Sequence, residues 1–480
     1  GSFPLEALYP RQPASSFSRA DRERTFFFAV LLLHEVKLIS LQENIPEDEI
    51  MERLILNRVR IRNVAFGSRT CVENGTLFVD MDEVRKAVLE DPRIDAVDVE
   101  LARPGESVRI VPVKDVIEPR AKADDCGDTF PGFFSDANFR AGVGTTVVLD
   151  GAAVITTGPL VNFQEGLIDM SGRGAEFSVF SKKCIVALCI RPVKDLGKHE
   201  HECAVRIAGV KIARYLALAA RDAKADSFSE YPVQTLPELF SMDPSLPRVV
   251  YVCQAIAEGL LHDNYIYGLN AQGCLPVFMA PTEFMDGAVV SGNCAAPCHK
   301  HTTYHQQNNP IVEDLYEQHG KSFVFMGVIL EPVRTAFSEK ERNGMQVFKL
   351  AKTLGAQGVI LSEDGGGNPE ADLMIVTRHL ERNDIRTVLV TDEYAGSDGA
   401  SQGLADVTPE ADAVVTNGNG NQRVVLPPME RTIGVLETVD RITGGHAGSL
   451  LPDGSVAVEI AGIMGSTNEL GIENLTTIAV

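Results

Sequence analysis

The second half of the chain alternates between apolar, β-branched runs and stretches of helical period. Apolar residues recur at helical spacing over residues 338–354 and 369–382. Short apolar runs predict strands at 275–279, 287–290, 323–330, 358–362, 387–391, 412–416 and 423–426. Buried strands that alternate with helices are typical of parallel sheets covered by helices. We therefore predict an α/β fold whose C-terminal part is a doubly wound, mostly parallel sheet.

The first half has a different pattern, with more strands and fewer helices. The pair Asn74-Gly75 predicts a hairpin. Strands are predicted at 76–79, 95–101, 108–116, 145–164, 184–190 and 249–252. Helices are predicted at 46–56, 81–90, 199–224 and from 254 to about 262, and a turn-rich loop at 168–174. This half is therefore expected to be a β-rich α+β region.

These patterns favour four parts. We predict a partly disordered extension at residues 1–57, a small α+β domain at 58–130, an α/β middle domain at 131–293 and a C-terminal α/β domain at 294–480. The densest apolar run, F-F-F-A-V-L-L-L at 26–33, lies in the extension. It is too short to cross a bilayer as a helix, and no small-residue cleavage site follows it. We interpret residues 26–41 as strand-forming, with this run buried.

The charge of the chain excludes some classes of partner. Its 480 residues include 66 Asp and Glu against 44 Lys and Arg, a formal net charge of −22. Such a surface repels nucleic acids and anionic membranes, so we expect neither as a partner. The nine cysteines show no repeating spacing. This is typical of free thiols in a reducing compartment rather than of a disulfide framework.

Residues 290–310 carry the densest group of reactive side chains. Cys294, Cys298, His299, His301 and His305 lie within twelve positions, and the polar run 302–309 has no hydrophobic period. A segment this polar is a poor candidate for a core helix or strand, so we expect a loop or the lining of a pocket. Loops on a rigid scaffold often carry catalytic residues.

The pair Asn293-Cys294 is a candidate for self-cleavage of the backbone. The thiol of Cys294 would attack the carbonyl of Asn293, and β-elimination would then release the upstream chain as a thiocarboxylate. The dehydroalanine left at position 294 would hydrolyse to a pyruvoyl group, whose carbonyl captures a substrate amine and withdraws electrons from it. The alternative is an ordinary loop cysteine.

A metal site is the second candidate. The cysteines and histidines of 294–305 have the spacing C-x3-C-H-x-H-x3-H, which offers zinc ligands without the common C-x2-C pairs. His199 and Cys203 share one face of a predicted helix, and the alternative there is a solvated first turn. We expect neither a metal nor a nucleotide as cofactor.

Polar residues follow the predicted strands of the C-terminal part. Glu363, Asp392, Glu393 and Asn417 stand at three such strand ends, where parallel sheets bind ligands. Residues 365–367 are three glycines before a predicted helix, and such a turn lets a carboxylate approach the helix N-terminus. The acids would orient an ammonium group of the substrate. The alternative is a set of structural turns with capping acids.

Long stretches of the chain resemble the component B proproteins of the glycine/sarcosine/betaine reductases and, more distantly, the D-proline reductase proprotein. The resemblance lies in residues 97–120 (V-D-V-E-L-A-R-P-G-E-S-V-R-I-V-P-V-K-D-V-I-E-P-R), 151–172, 285–310 and 358–420, which includes V-T-D-E-Y-A-G-S-D-G. It covers nearly everything from about residue 58 onward. Matches in one order over this length are far more specific than any single motif.

The resemblance implies a cytoplasmic oxidoreductase component that takes part in the reductive cleavage of a C–N bond in an amine or amino acid. The family's proprotein is cleaved before an internal cysteine that becomes the pyruvoyl group, and the matching residue is Cys294. The resemblance further implies an oligomer that works with a selenocysteine- or cysteine-bearing reductase subunit and a small selenoprotein-like carrier. Besides the metal enzyme, the sequence leaves open an uncleaved, non-catalytic binding or scaffold subunit.

Overall fold

The computed structural model describes residues 52–123, 130, 141–161, 166–258, 264–291, 301–466 and 470. The chain divides into two units, residues 1–51 and 52–480, and every described residue belongs to the second. The predictions for residues 1–51, including the strand at 26–41, lie outside the described residues. So do Asn293, Cys294, Cys298 and His299.

Apolar and β-branched runs form the strands, as their propensity for pleated, half-buried surfaces leads one to expect. In chain order the strands are β1 (Arg53–Arg60), β2 (Asn63–Phe66), β3 (Cys71–Glu73), β4 (Thr76–Val79), β5 (Ile94–Ala102), β6 (Val108–Ile117), β7 (Arg120–Lys122), β8 (Gly144–Asp150), β9 (Ala152–Thr157), β10 (Gly166–Asp169), β11 (Cys184–Pro192) and β12 (Ser227–Pro232). They continue with β13 (Arg248–Ile256), β14 (Tyr265–Ile266), β15 (Leu269–Asn270), β16 (Val277–Met279), β17 (Val289–Val290), β18 (Val324–Val333), β19 (Gly358–Ser362), β20 (Arg386–Glu393), β21 (Val414–Asn419), β22 (Arg423–Leu426), β23 (Arg431–Gly434) and β24 (Val456–Glu459).

The helices are fewer, and most of the long ones accompany the main sheet. They are α1 (Met81–Val88), α2 (Gly172–Glu176), α3 (Lys198–Leu218), α4 (Leu236–Ser241), α5 (Pro281–Glu283), α6 (Thr303–Gln307), α7 (Pro310–Gln318), α8 (Phe337–Thr353) and α9 (Asn368–Glu381). A π-helical turn, Phe284–Ala288, continues α5. In the part of the chain that the structure describes, no helix is both long and apolar enough to cross a bilayer.

The main sheet has the strand order β16-β18-β13-β19-β20-β21. All of its pairs are parallel except that of β16 with β18. Alternate residues of β13 enter different cores: Val250 and Val252 join the cluster that contains residues of α8 and α9, whereas Tyr251 and Cys253 join the cluster of α7. The α/β class and the mostly parallel main sheet are confirmed, and the doubly wound arrangement stays a prediction.

The N-terminal half forms a second mixed sheet, with the order β10-β6-β9-β11-β5. The predicted hairpin is confirmed: β3 and β4 pair antiparallel, and Asn74 and Gly75 between them have φ values of 50° and 76°. A four-stranded sheet, β12-β1-β8-β7, completes the larger layers. Helix α3 packs closely on β9, because a Cβ at Gly209 would lie 2.6 Å from Cγ2 of Thr156.

Several local predictions are wrong. Residues 53–56, predicted to be helical, form part of β1, where they pair with β8 and β12. Residues 254–256 extend β13 instead of starting a helix, because they continue its pairing with β18. The predicted loop at 168–174 contains the end of β10 and the start of α2. Tertiary pairing overrides local propensity in each case.

The two sides of the Asn293–Cys294 bond are interleaved. Strand β13 precedes this bond, and it lies between β18 and β19, which both follow it. In the other direction β23, near the C-terminus, pairs with β6 of the N-terminal half. Each half of the chain therefore completes a sheet of the other.

This interleaving predicts that a chain cut between residues 292 and 300 stays together. A protease site placed in this segment of a Cys294→Ala variant allows the cut to be made at will. After digestion, we expect one particle in native size-exclusion chromatography, because separation would expose the buried residues of β13. The pieces should separate only in denaturant, and two native peaks would contradict the prediction.

Candidate active site

Helix α6 is short, polar and almost completely buried. His301, Thr302, Thr303, Gln306 and Gln307 are each 2% exposed or less. The expectation of a loop is therefore wrong for 303–307: these residues form a helix in the interior. Burial of so many polar groups is tolerated only where they find hydrogen-bond partners.

Those partners come from strands on both sides. Gln307 forms a two-way amide pair with the backbone of Glu118, accepting from its N–H at 3.0 Å and donating to its carbonyl at 3.1 Å. Arg120 donates to Asn308 at 2.8 Å. Asn309 donates to the Tyr251 hydroxyl at 3.3 Å and caps α7 by accepting from a backbone N–H. The polar run is thus a connector between two sheets.

His305 forms hydrogen bonds at the N-terminus of α6. Its Nδ1 accepts from the N–H of Thr302 at 3.1 Å, which places the proton of the neutral ring on Nε2. Burial, and the nearby His301, hold the pKa of His305 well below its usual range. The ring also packs edge-on against Phe180, with centroids 5.3 Å apart. His305 is therefore a neutral, buried donor.

His301 faces the carboxyl end of the main sheet. Its Nδ1 lies 3.7 Å from Oδ1 of Asp364, two residues beyond the end of β19. The other oxygen of Asp364 accepts from the N–H of Ile256 at 2.7 Å, at the end of β13. Both side chains are buried. The carboxylate of Asp364 is thus held by the backbone of β13 beside the His301 ring.

Ser291 and His301 bring the two ends of segment 292–300 together. The Ser291 hydroxyl donates to the carbonyl of His301. The N–H of Ser291 donates to Oγ1 of Thr303 at 3.1 Å, and its carbonyl accepts from Nε of Arg206 at 2.7 Å. The nine residues between Ser291 and His301, which include Asn293 and Cys294, therefore start and end at one buried contact.

Asp115 lies behind this contact, in the middle of β6. It accepts from the N–H and the hydroxyl of Thr303, at 2.9 and 2.7 Å. Burial raises the pKa of Asp115 from its usual 3.8 to about 6, and the hydrogen bonds from Thr303 and the charge of Arg206 offset part of the rise. Asp115 is thus a buried acid that titrates close to neutral pH.

A second buried acid lies on β18. Glu331 accepts from Nε2 of its register partner Gln254 at 3.0 Å. Burial and the negative charge of Asp372 raise the pKa of Glu331 well above its usual range. Oε1 of Gln254 and Oε1 of Glu331 have no hydrogen-bond partner among the described residues.

Two of the predicted substrate contacts lie at the carboxyl ends of neighbouring strands. Asp392 is buried and lies near the end of β20, where the pairing with β21 is irregular between Thr391 and Glu393. Glu363 directly follows β19 and is buried as well.

The other two predicted contacts belong to strands too. Glu393 ends β20 and is half-buried, and Asn417 is buried within β21. The two strands reach further than predicted, because the pairing of β20 with β21 continues to Glu393, so Asp392, Glu393 and Asn417 lie in the last residues of these strands.

The metal alternative finds no support in the described residues. Among them, no three His, Cys, Asp or Glu side chains come together as metal ligands. His199 is exposed, and Cys203 accepts from Arg93 at 3.6 Å. Cys294, Cys298 and His299 lie outside this part of the chain.

Sequence reasoning missed Asp115, Arg206 and Ser291. Two signals point to them. Lys114 and Asp115 interrupt the apolar run that forms β6. Arg206 follows Glu202 by four residues on the buried side of α3, where Lys114 donates to Glu202 at 2.7 Å. Charged residues at core positions are a reason to search for a functional site.

The described residues offer several acid–base groups and buried donors. Asp115 and Glu331 have raised pKa values, and His301 is paired with Asp364. Nε2 of His305 and Nε2 of Gln306 have no hydrogen-bond partner in the described parts of the chain. Groups of this kind move protons and stabilise developing negative charge on oxygen.

Comparison with known proteins places the chain in a family. The family profile of the glycine/sarcosine/betaine reductase component B subunits matches residues 51–478. The chain therefore belongs to this family, and the resemblance inferred from its sequence is confirmed. No solved structure matches the chain.

Individual relatives agree with this assignment. The glycine reductase complex component B subunits alpha and beta of Acetoanaerobium sticklandii are 46% identical over 426 residues, 88% of this chain and 99% of that protein. The sarcosine reductase complex component B subunit alpha of Peptoclostridium acidaminophilum is 45% identical over 424 residues, 88% of this chain and 99% of that protein. The D-proline reductase proprotein PrdA of A. sticklandii is 23% identical over 351 residues, 68% of this chain and 52% of that protein. The relatives are components of reductase complexes, which supports an oxidoreductase role beside partner subunits.

The raised pKa of Asp115 predicts a specific pH dependence of stability. Between about pH 4 and pH 6 the folded chain keeps a proton on Asp115 that the unfolded chain releases, so rising pH lowers the free energy of unfolding. Asp115→Asn removes this titration. The free energy of unfolding of the parent, minus that of the variant, should therefore fall by about 3 kcal/mol between pH 4 and pH 7. This difference is the free-energy equivalent of the pKa shift of Asp115.

Urea unfolding at a series of pH values measures this difference. Both proteins should carry Cys294→Ala, so that every sample is a single chain. A difference that stays constant from pH 4 to pH 7 would show that Asp115 does not titrate in this range.

Proposed function

We propose that this chain is the substrate-binding component of a reductive C–N bond-cleaving complex, and that it cleaves itself at Asn293–Cys294 to form a pyruvoyl group. The observation that carries the proposal is the buried contact between Ser291 and His301, the residues on either side of the segment that contains the Asn-Cys pair, in a chain of this family. The relatives are named for glycine, sarcosine and betaine reductases. The substrate class is therefore a small amine or amino acid.

The cleavage balances without an oxidant. Sγ of Cys294 bonds to the carbonyl carbon of Asn293 while the C–N bond between the two residues breaks, which leaves a thioester and a free amine. Loss of the α-proton of residue 294 breaks its Cβ–Sγ bond and releases the upstream chain as a thiocarboxylate. Water then replaces the nitrogen as ammonia leaves, and the C-terminal piece of 187 residues begins with pyruvoyl.

Buried donors among the described residues support such a group. A pyruvoyl group carries two adjacent carbonyls, and its oxygens need hydrogen-bond donors. Nε2 of His305 and Nε2 of Gln306 are buried donors without a partner among the described residues. When present, the group supplies an electrophilic carbonyl that captures an amine and withdraws electrons from the C–N bond.

The chain's own residues bind the substrate and move protons. His301, held by Asp364, accepts and returns a proton, as a histidine near neutral pH does. Cys298 and His299 are further candidates, the first for a reacting thiol and the second for a proton carrier, because they are close to Cys294 in the sequence. Asp392, Glu393, Glu363 and Asn417 orient the ammonium group.

The reduction itself needs partners. The chain contains no selenocysteine, so the electrons come from a selenocysteine- or cysteine-bearing subunit together with a small selenoprotein-like carrier. The complex is an oligomer in the cytoplasm. Its acidic chain is consistent with protein partners rather than nucleic acid or membrane.

Intact mass under denaturing conditions tests the cleavage. The purified chain should give two fragments split at 293/294, with the C-terminal one lighter than its encoded mass and reactive towards a hydrazine. Cys294→Ala should give one full-length mass, because no thiol can attack. Cys71→Ala, a half-buried cysteine on β3, is the matched control and should be cleaved normally. A single full-length mass for the parent chain would favour an uncleaved binding subunit.

The role of His301 is tested by turnover in the reconstituted complex with glycine. His301→Gln should reduce turnover by about 10²–10⁴-fold, the usual contribution of a general acid–base group. Asp364→Asn should reduce it less, because the ring remains. His379→Gln is the matched control: this histidine also faces a carboxylate, Glu341, at 3.3 Å, but on α8 and α9 away from the segment. Equal turnover of His301→Gln and the control would remove His301 from the mechanism.

A further inference from the structure

All three polar groups of Ser291 are bonded, and they are bonded to three different residues. The partners are Oγ1 of Thr303, Nε of Arg206 and the carbonyl of His301. Ser291 itself is 3% exposed. Its carbonyl belongs to the peptide group between residues 291 and 292. The hydrogen bond from Arg206 therefore orients the chain one residue before Asn293.

The hydroxyl of Thr303 has a defined direction. A backbone N–H can only donate, so Oγ1 of Thr303 accepts from Ser291, and its own proton goes to Oδ2 of Asp115 at 2.7 Å. The N–H of Thr303 donates to the other oxygen of Asp115 at 2.9 Å. Asp115 therefore fixes both the backbone and the hydroxyl of the residue that holds Ser291.

Arg206 holds the same residue from the opposite side. Its guanidinium lies 5.6 Å from the ring centroid of Tyr265 and is attracted by the charge of Asp115. One turn earlier in α3, Glu202 is paired with Lys114. These four charges alternate in sign and are all 3% exposed or less. Buried charges of this kind are retained for geometric specificity rather than for stability.

We propose that Thr303, Asp115 and Arg206 are positioning residues for self-cleavage: they hold Ser291 so that the thiol of Cys294 meets the carbonyl carbon of Asn293. The inference rests on the proposed function and extends it to residues that do not react. Attack on a carbonyl requires the reacting atoms at about 3–3.5 Å, and a displacement of 1 Å costs on the order of 10²-fold in rate.

The three positioning residues come from different elements, and this determines when cleavage can occur relative to folding. Asp115 lies on β6, Arg206 on α3 and Thr303 on α6, on both sides of the bond to be cut. The contact forms only when these elements have packed together. Cleavage therefore follows folding of the chain, and an unfolded chain keeps the bond between residues 293 and 294.

The test follows the full-length chain after cell-free synthesis, with the rate of conversion into two fragments as the readout. Thr303→Val keeps the shape of the side chain but removes both hydroxyl hydrogen bonds, and it should slow conversion by about 10-fold or more. Thr303→Ser restores the hydroxyl and should bring the rate back to within about 3-fold of the parent. Arg206→Lys keeps the charge but not the planar fork, and it should also slow conversion.

Thr157→Val is the matched control. Thr157 is a fully buried threonine on β9 whose hydroxyl has no hydrogen-bond partner in the described part of the chain, so its variant should convert at the parent rate. Hydroxylamine identifies the affected step, because it cuts a thioester: a slow variant should show no hydroxylamine-sensitive species.

Each outcome supports or overturns the proposal. Conversion of the Thr303→Val variant at the parent rate would overturn it. If Thr303→Val fails to fold, the rate of Arg206→Lys decides instead: conversion at the parent rate would overturn the proposal, and slow conversion with normal melting would support it. A parent chain that never converts would instead sink the proposed function, and the two failures are thus distinguishable.

Discussion

The burial of a polar helix is the constraint on which the centre of this protein depends. Tyr304 and His305 of α6 pack against Phe180, whereas Thr303 and Gln307 are accommodated in the interior by hydrogen bonds to β6 and to Glu118. Asn309, which follows the helix, donates to Tyr251 on β13. A buried polar group that is left without a hydrogen bond costs about 1–3 kcal/mol. The same requirement aligns the two sheets: a strand that shifted by one residue would leave several of these groups without partners.

This constraint connects folding with chemistry. The groups that satisfy α6 also fix Ser291 and His301, the two ends of the segment that carries the Asn-Cys pair. The cleavage that we propose in the middle of the chain requires that the two pieces stay folded together afterwards. The interleaved strands meet this requirement, since β13 remains between β18 and β19 whichever side of the bond it belongs to.

The sequence predicted the parts of the fold that have a strong local signal. The alternation of apolar strands and amphipathic helices after residue 320, and the Asn74-Gly75 hairpin, are confirmed because each depends on residues close together in the chain. The predictions for residues 53–56 and 254–256 failed for the opposite reason. Both segments are strands because of partners far away in sequence, which no local pattern reports.

The candidate site also has features that the local sequence predicts and features that depend on residues far apart in the chain. The sequence by itself determined the family, and it predicted a site at residues 294–305 and at the strand ends, because residue types in a fixed order are a local property. It also suggested a loop where the structure has α6, because polarity was taken to mean exposure. Only the tertiary structure decided that Thr303 faces Asp115, that Arg206 holds Ser291 and that His301 lies beside Asp364. Each of these contacts joins residues from separate elements, and burial, which raises the pKa of Asp115, exists only once those elements have packed.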